Sequence, residues 1–103
     1  MFEAIKSAPE ERIVVTHGTD TLIESAQHLQ SRSELFFPKK KIVLTGSFLP
    51  QVFKDSDADF NVGSAIGFLQ SDSTDFGVYI AINGIVLKSF EASRNESGLF
   101  IRK

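Results

Sequence analysis

The sequence predicts an α/β fold built on an open parallel sheet with helices on both faces. The prediction rests on three short apolar runs, at 13–16, 41–45 and 77–82, separated by two segments with helical periodicity. Continuous apolar runs of this length are typical of buried parallel strands, and their alternation with helices favours right-handed crossovers. The first two runs also end alike, in a threonine with a glycine close behind it.

The first helix is predicted from Thr21 to about Leu35. Leu22, Ala26 and Leu29 recur there at helical spacing, which gives the segment one apolar face. The helix opens with a threonine followed three residues later by a glutamate, the pattern of a capping box.

The second helix is predicted from about Asp57 to Gln70. Gly63 and Gly67 are expected to let it approach the sheet closely. Its apolar stripe comprises Ala58, Val62, Ala65, Ile66 and Leu69.

The remaining segments are shorter. Phe2 and Ile5 share a helical face, so the chain opens on a short helix. The pair Asn83-Gly84 predicts a tight hairpin turn that leads into a fourth strand over 85–87. The polar tail from 88 to 103 has few apolar side chains to bury, so its order is expected to depend on its surroundings.

Composition narrows the classes of function. A chain of 103 residues fits one domain, and 42% hydrophobic with 23% charged residues is typical of a globular protein. A net charge of -2 and a single short basic run, 39–41, argue against a nucleic-acid partner. No apolar run approaches membrane-spanning length and no signal peptide is evident, so we expect no membrane partner and a cytoplasmic location. The absence of cysteine excludes disulfides and thiolate chemistry.

Polar side chains gather at the junction between the first strand and the first helix, residues 16–22. In an open parallel sheet, ligands bind beyond the carboxyl ends of the strands, where helix N-termini favour anions. Thr19 and Asp20 can simply be capping residues. If Thr21 and Glu24 already cap the helix, however, the Thr19 hydroxyl and the Asp20 carboxylate are left to face a crevice.

Other polar residues admit plainer interpretations. His17 can be a general base acting with Asp20, but neighbouring positions at a strand end diverge, which favours a structural role. Neither Gly18 nor Gly46 belongs to a complete phosphate-binding motif. Their positions after a strand favour a role in tight turns. We expect no metal and no cofactor, since the acidic residues near the second helix lack the spacing of a calcium loop and suit a helix start. These residues are Asp55, Asp57 and Asp59.

Three segments together resemble L-asparaginases, the threonine amidohydrolases that convert asparagine to aspartate and ammonia. Residues 15–21 read V-T-H-G-T-D-T, 42–47 read I-V-L-T-G-S before Pro50, and 56–62 read S-D-A-D-F-N-V. They match the family's signatures in order, and the resemblance covers roughly Glu10 to Asn95. It implies a Rossmann-like or flavodoxin-like sheet within one partial N-terminal domain, residues 1–103.

The resemblance also implies roles for individual residues. Thr19 matches the second catalytic threonine, and Asp20 matches the carboxylate that contacts the α-ammonium of the substrate and couples to a lysine. That lysine falls at Arg94, which completes the predicted catalytic set. The residues expected to bind the amide substrate or amino acid are Gly18, Thr19, Asp20, Gly46 and Ser47.

Two departures from the family bear on activity. Nothing before Glu10 resembles the family's N-terminal strand, which carries the primary nucleophile, and a guanidinium at Arg94 cannot accept a proton as a lysine can. We therefore expect an impaired amidohydrolase. The alternatives are a non-catalytic module that binds an amino acid or dicarboxylate, and a structural or oligomerisation domain. The missing strand would expose a sheet edge, which predicts a homo-oligomer.

Overall fold

The computed structural model describes residues 1–36, 38–46, 58–71 and 75–103. A four-stranded sheet occupies the centre, and a two-stranded hairpin lies beside it. The elements in chain order are α1 (Phe2–Ser7), β1 (Arg12–Thr16), α2 (Leu22–Phe36), β2 (Lys41–Thr45), α3 (Ala58–Leu69), β3 (Gly77–Ile82), β4 (Ile85–Lys88), β5 (Ala92–Arg94) and β6 (Phe100–Arg102).

The central sheet has the order β1-β2-β3-β4. The first three strands are parallel, with Ile13 opposite Ile42, and β4 returns antiparallel to β3. The turn between β3 and β4 is the predicted one: Asn83 and Gly84 have φ of 53° and 79°, the positive values that a tight two-residue hairpin needs. The prediction of an α/β fold with a parallel sheet is confirmed, and the fourth strand makes the sheet mixed.

The helices lie on both faces of the sheet, as predicted. Apolar residues of α1 and α2 pack in one core cluster with Ile42 and Ile80. Residues of α3 pack on the other face with Val43 and Tyr79. Because β1, β2 and β3 follow one another in a single direction, helices on opposite faces require crossovers of opposite hand. The expectation of right-handed crossovers is therefore wrong for one of the two, a departure from the usual preference.

The first strand differs from the interpretation of its sequence as a buried strand. Every residue of β2 and β3 is buried, whereas β1 has exposed ends and three half-buried residues between them. Among the described residues, β1 pairs with β2 alone and so forms an edge of the sheet. A groove of about 730 Å³ runs between β1 and the α1 segment. Among the described residues, β1 is therefore the most exposed of the three parallel strands.

Two expectations for α3 are wrong. Ile66 is 46% exposed, so it does not belong to the buried stripe that contains Ala65 and Leu69. A side chain at Gly63 or Gly67 would meet nothing within 4 Å, so neither glycine is required for close approach to the sheet. The α3 segment therefore contacts the sheet on a narrower face than its sequence indicates.

The tail is ordered through a few contacts. Strands β5 and β6 form an antiparallel hairpin, and Phe100 inserts into the core shared by α1 and α2. Phe90 and Leu99 stay at least half exposed. The side chain of Gln27 on α2 donates a hydrogen bond of 3.2 Å to the carbonyl of Ser89, which joins the tail to the helix. The start of the tail thus packs against α2.

Two lysines of the basic run 39–41 connect separate elements of the fold through hydrogen bonds. The Lys40 ammonium donates hydrogen bonds to the carbonyls of Ala8 and Glu10, which fixes the connection between α1 and β1. Lys41 is 4% exposed; its ammonium donates to the carbonyls of Phe68 and Ser71 at the end of α3. Two of the three lysines therefore serve internal contacts.

In the described part of the chain, no helix has the length and apolar character needed to cross a membrane.

Candidate functional site at the carboxyl end of the sheet

The junction after β1 forms a short polar turn. Gly18 precedes a single 3-10 turn, Thr19–Thr21, which runs directly into α2. The Asp20 side chain is 99% exposed, and Thr19 is half-buried. The turn therefore presents a negative charge to solvent at the carboxyl edge of the sheet.

Arg94 reaches this turn from the far end of the sequence. Its guanidinium Nη1 lies 3.7 Å from the Asp20 carboxylate oxygen Oδ1 and donates a hydrogen bond of 3.3 Å to the carbonyl of Thr19. Arg94 and Thr19 are 75 positions apart in the chain. The structure thus brings the three predicted catalytic residues to one place.

The position of Arg94 is set by its own hairpin. Its Nε donates a hydrogen bond of 3.0 Å to the carbonyl of Gly98, and its guanidinium lies 5.0 Å from the ring centroid of Phe100. Gly98 has φ of 84°, a conformation that glycine adopts without strain. Since Phe100 is anchored in the core, the arginine is held from both sides and its charge is directed at the turn.

The end of β2 packs directly against the end of β1. A Cβ added to Gly46 would overlap the carbonyl oxygen of His17 and would lie 3.5 Å from the Thr19 methyl group. The His17 amide donates a hydrogen bond of 2.8 Å to the carbonyl of Thr45. Glycine is therefore required at 46 by close approach. Gly18 has nothing within 4 Å of an added Cβ, so the same reason does not apply there.

His17 is held in place by two hydrogen bonds. Its Nδ1 lies 2.8 Å from the carbonyl oxygen of Gly18, and its Nε2 lies 3.0 Å from the Ser25 hydroxyl on α2. A carbonyl can only accept, so Nδ1 donates to Gly18, and the serine hydroxyl is the partner of Nε2. The ring links the turn to the first helix, in line with the structural role that its sequence position favours.

Asn61 is a positioning residue that the sequence interpretation missed. It is fully buried on α3, where its amide nitrogen donates a hydrogen bond of 2.6 Å to the carbonyl of Gly46 and its amide oxygen accepts one of 3.0 Å from the Asn83 amide. It therefore ties Gly46, directly after β2, to the turn after β3. An asparagine in an otherwise apolar helix face was the available signal, because buried amides need partners.

Some of the predicted residues lie outside the described part of the chain. These are Ser47, in the expected substrate-binding set, and Asp55 and Asp57, two of the acidic residues weighed as metal ligands. Within the described ranges, no three acidic or histidine side chains are close enough to hold a metal ion.

A titratable side chain lies away from this edge. Burial, together with the charges of Asp75 and Glu91, raises the pKa of the Tyr79 phenol. Its hydroxyl donates a hydrogen bond of 2.7 Å to the Asp75 carbonyl, and it stays protonated at neutral pH. Tyr79 therefore stabilises β3 and takes no part in the polar turn.

Comparison with known proteins decides the family. The model of the asparaginase N-terminal domain matches residues 2–100 of the chain. The chain belongs to the asparaginase family. An L-asparaginase of Thermococcus kodakarensis is 34% identical over 97 residues, which cover 94% of this chain and 28% of the relative. A glutaminase-asparaginase of Acinetobacter glutaminasificans is 28% identical over 93 residues, which cover 89% of this chain and 27% of the relative.

A solved structure supports the fold of this asparaginase-family chain. The crystal structure of a probable cytoplasmic L-asparaginase from Campylobacter jejuni superposes with a TM-score of 0.77 at 26% identity, covering 91% of this chain and 29% of that one. The chain thus spans less than a third of the length of these relatives. The matched region is the α/β domain that carries the polar turn.

Proposed function

We propose that Thr19, Asp20, Arg94 and the backbone at Gly46 form the amino-acid-binding half of an asparaginase-type amidohydrolase site. In this proposal the site acts on the side-chain amide of asparagine. The observation that carries the proposal is the meeting of Arg94 with Asp20 and Thr19 at the carboxyl end of a parallel sheet. Family membership supports the reaction class. The carboxyl edge of a parallel sheet is also where such folds bind ligands.

Each group at this edge has a chemical task in the proposal. The exposed Asp20 carboxylate accepts hydrogen bonds from the α-ammonium of the substrate, a charge-assisted contact. The Thr19 hydroxyl is the group proposed to take part in proton transfer to or from the bound amide. The backbone around Gly46, pressed against the end of β1, borders the space for the amide group.

Arg94 makes the charge balance of this site different from the family pattern. A guanidinium stays protonated at working pH, so Arg94 supplies positive charge next to Asp20 but cannot act as a base. At 3.7 Å, with an exposed carboxylate, the pair leaves Asp20 available to a ligand. Arg94 is thus a positioning group in the proposal, and the proton must move through another residue.

The 103 residues by themselves are proposed to be weakly active. The first threonine of the sequence is Thr16, so no threonine nucleophile on a preceding strand is among them. Loss of a nucleophile costs an enzyme several orders of magnitude in rate. We regard residues 1–103 as one partial N-terminal domain and place it in the cytoplasm, as the description of the Campylobacter jejuni protein suggests.

A second candidate is binding without turnover. The permanent charge of Arg94 beside an exposed carboxylate favours recognition of a zwitterionic amino acid over proton transfer. This module would hold aspartate or asparagine at the same edge. The two proposals share a ligand and differ only in whether ammonia is released.

Calorimetry and an ammonia-release assay on the same protein test both proposals. Binding of L-aspartate and L-asparagine is expected to be measurable, and Asp20→Ala should weaken it at least tenfold because the contact with the α-ammonium is lost. Glu34→Ala is the matched control, since it removes an exposed carboxylate of α2 at the other end of the helix.

The outcomes separate the candidates. Slow ammonia release that disappears in Asp20→Ala supports the amidohydrolase proposal. Binding with no ammonia supports the binding module. No heat of binding for asparagine, aspartate or glutamine would contradict both and leave a structural domain.

A further inference from the structure

Asn61 places an amide on a helix face that is otherwise apolar. Among the α3 side chains that the structure describes, the buried ones are Asn61, Ala65 and Leu69, which recur every fourth residue and so share one face. Ala65 and Leu69 pack with Val43 and Tyr79 of the sheet. Burying an amide on such a face costs free energy unless its polar atoms are hydrogen-bonded. The partners of Asn61 therefore indicate what the amide does there.

The Asn61 amide bridges the carboxyl ends of two neighbouring strands. Its Nδ2 donates to the carbonyl of Gly46, directly after β2, and its Oδ1 accepts from the backbone amide of Asn83, directly after β3. A side-chain amide offers a donor and an acceptor on one planar group, so one residue can make both bonds. The same edge of the sheet carries the turn with Thr19 and Asp20.

The backbone at Gly46 is held from two sides. On one side it lies against the end of β1, where an added Cβ would overlap the His17 carbonyl and approach the Thr19 methyl group. On the other side its carbonyl accepts from Asn61, and α3 packs on the face of the sheet opposite α2. Rotation of this carbonyl would break its bond to a buried amide. The orientation of the Gly46 backbone is therefore set by α3.

We propose that Asn61 is a positioning residue for the ligand site. Without touching the ligand, it fixes the Gly46 backbone against the Thr19 turn and makes ligand affinity depend on the β3–β4 turn at Asn83. This inference rests on the proposed function, because Gly46 is there taken to border the bound amino acid. It extends that function by assigning part of the affinity to a buried helix residue.

The expected effect follows from the energetics of the lost bonds. Without the Asn61 amide, the Gly46 carbonyl and the Asn83 amide lose that partner, and the Gly46 backbone can adopt other orientations. A ligand then binds only the fraction of molecules in the original orientation, which weakens the apparent affinity in proportion. A side chain that merely fills the core would change stability and leave the affinity of the folded protein unaltered.

Calorimetry with L-aspartate tests the proposal on two alanine variants, under conditions where circular dichroism shows both to be folded. Asn61→Ala should weaken binding at least about tenfold. Leu69→Ala is the matched control, because it removes a buried side chain from the same face of α3, two turns further along. It should lower the free energy of unfolding and leave the dissociation constant within about twofold of wild type.

Amide chemical shifts without ligand give a second readout. Asn61→Ala should move the signals of both Gly46 and Asn83, whereas Leu69→Ala should leave both near their wild-type positions. A role confined to packing would affect the two variants alike.

Asn61→Asp tests the donor separately from the shape of the side chain. An ionised carboxylate can accept from the Asn83 amide but cannot donate to the Gly46 carbonyl, whereas a protonated carboxyl can do both. Burial raises the pKa of a carboxyl, so protonation occurs above the usual range for aspartate. Affinity relative to wild type at the same pH should therefore improve as the pH falls from about 8.5 to about 5.

The outcomes distinguish this inference from the proposed function. Wild-type binding that Asn61→Ala leaves unchanged, or that both alanine variants weaken equally, overturns the inference and leaves the proposed function standing. No binding by the wild type overturns both. If Asn61→Ala does not fold, Asn61→Asp decides: recovery of affinity at low pH supports the inference, and an affinity ratio independent of pH overturns it.

Discussion

Strands β1 and β2 have nearly the same sequence and very different surroundings. β1 reads R-I-V-V-T and β2 reads K-I-V-L-T, and the two lie side by side in register, Arg12 opposite Lys41 and Thr16 opposite Thr45. Every residue of β2 is buried, whereas the ends of β1 are exposed and its middle is half-buried. The difference shows that an apolar run specifies a strand but not how many other strands lie beside it in the sheet.

The cause is position in the sheet. β2 has a strand on each side and helices on both faces, so its side chains and backbone are covered from all directions. β1 has the same two faces but, among the described residues, one neighbouring strand. Substitutions at register-matched positions of β1 and β2 therefore measure how much full burial adds to the free energy of unfolding when the residue type is nearly the same.

The largest difference is expected for the isoleucine pair. Ile42→Ala should lower the free energy of unfolding by about 3 kcal/mol, because it leaves a cavity between fully packed neighbours. Ile13→Ala should cost about 1 kcal/mol, because a half-buried side chain loses fewer contacts. Urea unfolding at a protein concentration low enough to keep the chain monomeric gives both values. Equal costs would contradict the assignment of β1 as an open edge.

The glycine that follows each strand gives the second comparison. Gly46→Ala should cost about 1–3 kcal/mol, since the new methyl group overlaps the His17 carbonyl and the backbone must move. In Gly18→Ala the new methyl group meets no atom within 4 Å, and the backbone φ of -69° is one that alanine adopts freely. The free energy of unfolding should therefore change by less than about 0.5 kcal/mol. Thermal unfolding of both variants checks this. A harmless Gly46→Ala would show that the two strand ends are not in close contact.

The smallest difference is expected for the terminal threonines. Thr45→Val removes a buried hydrogen bond of 2.6 Å to the Ala81 carbonyl and should cost about 1–2 kcal/mol. Thr16→Val replaces an exposed side chain and should change stability by less than about 0.5 kcal/mol. Denaturant midpoints of the two variants provide the measurement, and a reversed order would refute the burial contrast.

Local sequence was enough to predict most of the elements. The periodicity of α2, the apolar runs of three strands and the pair Asn83-Gly84 each specify a structure through contacts within a few residues. The hand of the crossovers and the exposure of Ile66 depend on which face of the sheet each helix meets. That choice is made by contacts across the whole domain, so no local pattern predicts it.

The candidate site was predictable in part for the same reason. The Thr19 turn is local and follows from the strand-to-helix junction. The approach of Arg94 to Asp20 joins distant segments and came from the family resemblance, not from spacing. Asn61 was missed because its two partners, Gly46 and Asn83, lie on other elements that only the folded sheet brings together.

We propose above all that Asp20, Arg94 and the backbone at Gly46 form one site for an amino acid. Titration of the isotope-labelled chain with L-aspartate, followed by amide chemical shifts, tests it most directly. We predict saturable shifts centred on Gly18 to Asp20, Gly46 and Arg94, and their loss in Asp20→Ala. Shifts confined to other parts of the molecule, such as the groove beside β1, or none at all at saturating ligand, would contradict it.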